Sequence, residues 1–547
     1  MRISVFVLIF FSMPTIASAQ DKTESTIAGG GLQVVDWVII GLYAIATIGL
    51  GWYYSRRQKT TEEYFVGSGN MHPALIGVSL FASLLSTITY LSIPGETIGK
   101  GPVYLANYIA YPVIFWVVGF VLLPVYMKHR VTSAYELLEN RLGLSIRLLG
   151  ASMFLTLRLV WMSILTFLTA MAIAQMVGLE AKYIPIIVLV TGTVAITYAS
   201  IGGLRAVVIT DLMQTILLYG GAVLTIGIVT YQMGGFGWFP TQWHNTWDTQ
   251  PVASADPSTR VTLLGTFLSV FLWTVCTSGG DQVSIQRFMA TKDAKTARRA
   301  IGIQLTVGCV VGITLGLAGF ALLGYFKANP TELPADLLID KAGKTLSFEA
   351  ALKSNADKVF PRFIAFGLPP VVSGLVLSGL FAAAMSSIDS GVNSITAVVS
   401  NDFIGRLGSK KHEGGTHDVR VARGLAVGIG IAVVILGSLL SRFENPDNIT
   451  SLTNKTVNLL TIPIFCLFFF ALFVPFAKPA GVWAGAIAGT TTAALVAFSG
   501  LIFGPNPETG LDPVSFQWIG PSALVVDLAV GCAVSLAIPS TGDRKTD

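Results

Sequence analysis

The sequence predicts an all-α integral membrane protein of about thirteen transmembrane helices. Three observations carry that reading. Of 547 residues, 53% are hydrophobic and only 12% charged, too few charges to cover the surface of a soluble domain of this length. Apolar segments long enough to cross the roughly 30 Å hydrocarbon core recur along the whole chain. Lys and Arg collect in alternate connections between them, as the positive-inside rule requires.

In chain order, "MRISVFVLIFFSMPTIASAQ" has a basic start, a short apolar core and an Ala-Ser-Ala exit. It predicts a cleaved signal peptide over 1–19 and an external mature N-terminus. The remainder, 20–547, reads as one membrane domain. Its expected spans are 34–54, 73–98, 103–126, 145–177, 182–200, 205–231, 263–283, 299–326, 365–399, 420–441, 452–475, 479–503 and 521–539. Thirteen crossings from outside leave the C-terminus in the cytoplasm. Connections assigned to the cytoplasm hold 21 Lys and Arg, the group from Arg287 to Arg299 among them, and external segments hold 12.

The second and seventh spans carry helix-unfriendly patches at mid-depth: "ASLLSTITYLSIPGE" (82–96) and "WTVCTSGGDQVSIQR" (273–287). Backbone groups freed in lipid need partners, so such breaks belong beside a cavity. The two spans are five apart. Spans 2–6 and 7–11 then form two five-helix units of opposite direction, about 73–231 and 263–475, and matched breaks in inverted halves point to a transport site. Within the ninth span, "AAAMSSIDSGVNS" (382–394) places Ser386, Asp389, Ser390 and Asn393 on one helix face.

The net charge of +5 is small and dispersed, giving no basis for nucleic-acid binding. All five histidines fall in polar connections, and the four cysteines (Cys276, Cys309, Cys466, Cys532) match no metal spacing. An intramembrane enzyme would need a nucleophile with a base or a metal set. Neither Asp211 nor Asp389 stands in a Gly-x-Gly-Asp context, so the chain reads as no enzyme.

Five ordered blocks resemble the sodium:solute symporter family: "TTEEYFVGSGNMHPALIGVSLFAS" (60–83), "YELLENR" (135–141), "GGLRAVVITDLMQTILLYGG" (202–221), "QVSIQRFMATKD" (282–293) and "GLFAAAMSSIDSGVNSITAVVSNDF" (379–403). The resemblance implies the inverted five-helix repeat of the LeuT-like fold, with one helix before the core and two after. It implies symport of a small-molecule substrate with sodium by alternating access, in a bacterial inner membrane. The family's common sodium site carries over onto the carbonyls of Ala82, Leu85 and Ala383 and the hydroxyls of Ser386 and Ser387, a set of hard oxygens suited to that ion. A second cation site of some members carries over onto Asp211, Ser386, Asp389 and Ser390. Those members have Ser or Thr where this chain has Asp389. The ion there is left open between sodium, a proton and none.

Arg158, in "FLTLRLVWMSIL", reads as the one basic residue near mid-membrane, where it costs about 2.5–3.5 kcal/mol on insertion scales. Either a protein carboxylate, Asp211 or Asp389, pairs with it, or it clamps a substrate carboxylate. The resemblance to sialic acid transporters within the family favours the clamp, with Ser86 and Thr89 matching their hydroxyls and Leu84 replacing one. Tyr104 and Asn107 are further expected pocket residues. The expectation is a carboxylate-bearing solute such as sialic acid or a related acid. A neutral sugar is the alternative substrate, and a transport-derived membrane sensor the alternative of another class. An anionic solute favours more than one sodium, because a second adds about 1.4 kcal/mol per tenfold gradient and about 2.3 per 100 mV. The Trp-rich external segment 234–251 reads as a membrane-surface anchor, with a lid as the alternative.

Overall fold

The structure, a computed structural model, describes residues 32–538 except 57, 59, 130, 340–342, 408–415, 442–448, 507–509 and 511. The expected signal peptide lies outside the described residues. The membrane helices are α1 (Val34–Ser55), α2 (Pro73–Leu84), α3 (Thr87–Gly99), α4 (Pro102–Tyr126), α5 (Leu144–Val177), α6 (Ile184–Gln232), α7 (Leu263–Gly280), α8 (Gln282–Met289), α9 (Ala294–Ala328), α10 (Val372–Val398), α11 (Thr416–Leu440), α12 (Ile449–Phe473), α13 (Pro479–Ala497) and α14 (Ile519–Ala537). Among the described residues the only β-type pairing is an isolated bridge between Ile339 and Thr345.

Among the described residues eleven helices are long and apolar enough to cross a membrane, and α2 with α3 forms a twelfth crossing bent by 70°. The thirteenth comes from α6. Its 49 residues span about 74 Å, more than twice the hydrocarbon core. Gly203 divides it at φ 58°, ψ −171°. Only glycine suits that backbone, and an added Cβ would meet Tyr64 O at 2.8 Å. The two crossings expected at 182–200 and 205–231 are therefore the arms of one kinked helix.

Exposed apolar side chains mark the lipid-facing elements, such as Leu42, Ile45 and Trp52 on α1 and Val525 and Leu536 on α14. By contrast α10 is enclosed on all sides, with every residue from Val376 to Val398 buried. Small residues allow it in: a Cβ on Gly379 would come within 3.1 Å of the α6 backbone at Leu217 and Leu218. The polar stripe of α10 thus faces protein throughout.

The ninth span starts later than the expected residue 365. Ala356–Phe366 is a separate amphipathic helix, and α10 begins at Val372 after a Pro-Pro turn. Asp36 of α1, itself buried, accepts from Val371 N and Gly374 N, both at 2.9 Å, and so caps the N-terminal end of α10.

Candidate functional site

Both interrupted spans break by the same device. After Leu84 the chain leaves helical geometry at Leu85 (ψ 117°), and Ser86 caps α3 by accepting from Thr89 N at 3.2 Å. After Gly280 it leaves at Asp281 (ψ 125°), whose Oδ1 caps α8 by accepting from Val283 N at 2.8 Å. Each break orphans carbonyls of the helix before it. Around the second, the Tyr126 hydroxyl donates to Gly279 O and the Tyr135 hydroxyl to Gly280 O.

Around the first break the partners come from α10. The Ser386 hydroxyl lies 2.8 Å from Ala82 O and 3.1 Å from Ala383 O, and the Ser387 hydroxyl 3.5 Å from Leu85 O. The residues of the first expected ion set thus meet in two neighbouring groups, Ser386 with Ala82 and Ala383, and Ser387 with Leu85. A small void of about 10 Å³ adjoins Ala82, Leu85, Ala383 and Ser386. The carbonyls of Ala82 and Leu85 at the broken end of α2, together with Ala383 O and the two hydroxyls of α10, are a donor set whose chemistry fits a hard monovalent cation.

A central cavity of about 200 Å³ lies beside both breaks. Ser86, Thr89, Tyr104, Asn107 and Arg158, the five expected substrate residues, all line it, as does Leu84. Arg158 Nη2 is ion-paired with Asp281 Oδ2, with both side chains largely buried. The partner is thus neither Asp211 nor Asp389, because those two carboxylates are engaged elsewhere. Four cavity-lining residues carry buried polar atoms without a hydrogen-bond partner: Asn107 Oδ1, Arg158 Nε, Thr277 Oγ1 and Gln304 Oε1.

Arg158 is also not alone at depth. Arg287, counted in the sequence as a cytoplasmic connector residue, is fully buried on α8. Its Nε donates to Ser79 Oγ at 2.8 Å and its Nη2 to Ser390 Oγ at 2.5 Å, 3.5 Å from Asp211 Oδ2. Asp211, Asp389 and Ser390 surround it, whereas Ser386 bonds within the first ion set. The other polar residues of the same block also tie α8 in place: Gln282 brackets Thr132 O and Ala134 N, and Gln286 bridges Phe65 O and Ser394.

Sequence reasoning missed Asp281, Thr277, Gln304 and Arg287. For Asp281 a signal existed, since it follows the Gly-Gly break as Ser86 follows the first. For Gln304 none did, because a lone amide in an apolar helix marks no site.

The Trp-rich segment folds inward in part. Trp238 and Trp247 are buried, Trp247 donating to Ile98 O at 3.2 Å, while Trp243 stays exposed. Gln250 binds Val103 N and Lys100 O, pinning the segment across the ends of α3 and α4.

The pattern of the sodium:solute symporter family matches residues 64–489, more than half of the chain. The chain belongs to the sodium:solute symporter family. As a family member it is a multi-pass transporter rather than an enzyme, and sodium is its coupling ion. It is 28% identical to the sodium/sialic acid symporter SiaT of Proteus mirabilis over 80% of this chain and 85% of that one. It is 26% identical to the sodium/sialic acid symporter NanT of Aliivibrio fischeri, covering 84% and 86%. A solved structure of a Na⁺-coupled sialic acid symporter in a substrate-bound outward-open state superposes with a TM-score of 0.74 at 24% identity, over 93% of this chain and 98% of the other. That likeness gives the symporter its LeuT-like fold.

Proposed function

We propose that the protein imports a small carboxylate-bearing, hydroxyl-rich solute, sialic acid or a related acid, together with sodium. It does so in a bacterial inner membrane, with the N-terminus outside after loss of 1–19 and the C-terminus in the cytoplasm. The core consists of the repeats at about 73–231 and 263–475.

The observation that carries the substrate class is the set of four unpartnered buried groups on the cavity wall. Buried polar atoms without partners are costly, so the cavity suits a ligand that supplies both kinds. Arg158 Nε–H calls for an acceptor, which a carboxylate provides best. Asn107 Oδ1 and Gln304 Oε1 call for donors, which hydroxyls or an amide provide. Ser86, Thr89 and Thr277 act either way, and Tyr104 closes the wall. The charge on Asp281 orients the Arg158 fork while leaving its Nε–H for the solute.

Sodium is held by Ala82, Leu85, Ala383, Ser386 and Ser387. A sodium ion there supplies positive charge that binds the broken end of α2 to α10. Ser386 and Ser387 keep the two elements in register, and adjacency lets both hydroxyls face one ion.

A neutral sugar is the second reading. It is favoured by Asp281, which cancels the charge of Arg158.

Uptake by proteoliposomes under an inward sodium gradient separates the two, with labelled acids and neutral sugars offered to wild type and Arg158→Ala. Sodium-dependent acid uptake lost in the variant supports the clamp. Sugar uptake that survives in the variant supports the second reading.

A further inference from the structure

The cluster around Arg287 holds the residues at which a second cation was expected. Its members come from four elements: Ser79 and Ser83 of α2, Asp211 and Tyr198 of α6, Arg287 of α8, and Asp389 and Ser390 of α10. The charged members are all fully buried. Arg287 Nη2 lies between Ser390 Oγ at 2.5 Å and Asp211 Oδ2 at 3.5 Å, two of the oxygens a second sodium would need. Ser79 Oγ, 2.5 Å from Asp211 Oδ2, also accepts from Arg287 Nε. Ser390 Oγ is further engaged by Ser83 Oγ at 2.9 Å and by Asp389 Oδ1 at 3.1 Å. Ser386, the fourth expected ligand, spends its hydroxyl on Ala82 and Ala383.

We infer that Arg287 is a tethered cation in the position of a second sodium, so that transport is coupled to one sodium per solute. The inference rests on the sodium-coupled reading above and deepens it. A guanidinium is suited to the place, being planar, permanently charged and weakly hydrated. It reaches a carboxylate and two hydroxyls at once, more than a bare ion could displace without stranding a buried Arg.

Asp389 adds a second carboxylate, leaving the cluster one negative charge in excess if both are ionised. Its oxygens face the hydroxyls of Tyr198, at 2.5 Å, and Ser390. The remaining titratable neighbours are Asp211 and, across from α1, Tyr43. With Arg287 filling the space between Asp211 and Ser390, the cluster is closed to a second sodium throughout the cycle.

The test uses the full chain in proteoliposomes with the membrane potential clamped at zero. Accumulation of the transported solute at equilibrium is read against the imposed sodium gradient. Under this clamp a tenfold gradient gives tenfold accumulation with one sodium and a hundredfold with two. Tenfold accumulation, unchanged by an imposed pH gradient, is the expected result. A hundredfold value overturns the inference, and so does accumulation that follows the pH gradient. Accumulation indifferent to sodium sinks the sodium-coupled reading itself, a separate outcome. Arg287→Gln, if it folds, is expected to raise the response to a hundredfold; an active variant still at tenfold also overturns the role of Arg287. Wild type decides the matter where that variant does not fold.

Discussion

Arg158 of α5 and Asp281, at the break between α7 and α8, form an ion pair on the wall of the central cavity. Breaking a buried pair by removing one partner leaves an unmatched charge, at a typical cost of about 3–5 kcal/mol. Arg158→Ala and Asp281→Ala are each expected to lower thermal stability in detergent, and the double variant by less than the sum of the two. Additive losses would show that the two side chains do not interact. Arg158→Lys keeps the charge but loses the planar fork. It should retain more stability than Arg158→Ala while still weakening solute uptake at least tenfold.

The first ion set makes a prediction that separates ion from solute. Ser387→Ala removes one of five oxygens, and a hydrogen-bond-like contact to a charge is worth about 1.5–3 kcal/mol. The sodium concentration for half-maximal uptake should rise roughly tenfold to a hundredfold. Thr277→Val, on the cavity wall, should instead raise the half-saturating solute concentration and leave the sodium requirement alone. Titrating each ligand at saturating levels of the other checks both. A sodium shift in Thr277→Val of the size expected for Ser387→Ala would refute the assignment of separate subsites.

Much of the fold was legible because lipid imposes it: span lengths, charge asymmetry and breaks all follow from having no water to satisfy a backbone. The first ion set came from the family resemblance, carried over residue by residue, and the structure brings Ser386 against Ala82 and Ala383, and Ser387 against Leu85. Side-chain pairing across the bundle was not legible. Arg287 follows the seventh span among other charges and reads as a connector residue, yet α8 packs against α2 and α10 and buries it. The partner of Arg158 was misread for a related reason. Asp211 and Asp389 are conspicuous acids in apolar helices, but Asp211 pairs with Arg287 and Asp389 accepts from Tyr198 and Ser390, and a helix cap one residue past a Gly-Gly break looks in sequence like turn chemistry.

Val371, before α10, has a φ of 74°, a conformation disfavoured for a β-branched residue. The amide hydrogen bond to Asp36 holds it there. Strain of this kind costs of order 1–3 kcal/mol. Val371→Gly should therefore stabilise the protein by about 1 kcal/mol, after the entropy that glycine adds to the unfolded chain. Asp36→Ala should destabilise it by more, since it leaves the buried Gly374 N–H and the partly buried Val371 N–H without an acceptor. Thermal unfolding in one detergent measures both, and a destabilised Val371→Gly would contradict the account.

Asp357 lies on the external helix Ala356–Phe366, close against Gly95 near the end of α3. Burial pushes its carboxyl up to about 6, against the pull of Lys100, with nearby Glu96 adding to the rise and Arg260 opposing it. The sign follows from linkage. The folded state keeps its proton up to about pH 6, whereas an unfolded Asp ionises near 3.9. Stability is therefore lost as pH rises between those values and stays lower above them, by up to about 3 kcal/mol before solvent screening. Asp357→Asn cannot ionise and should escape that loss. Its stability relative to wild type is expected to be similar at pH 4, to rise through pH 5 and 6, and to level off by pH 7. A difference that is constant with pH would show that folding does not shift this carboxyl, and one that grows toward acid would show that Lys100 and Arg260 stabilise Asp357 as a carboxylate.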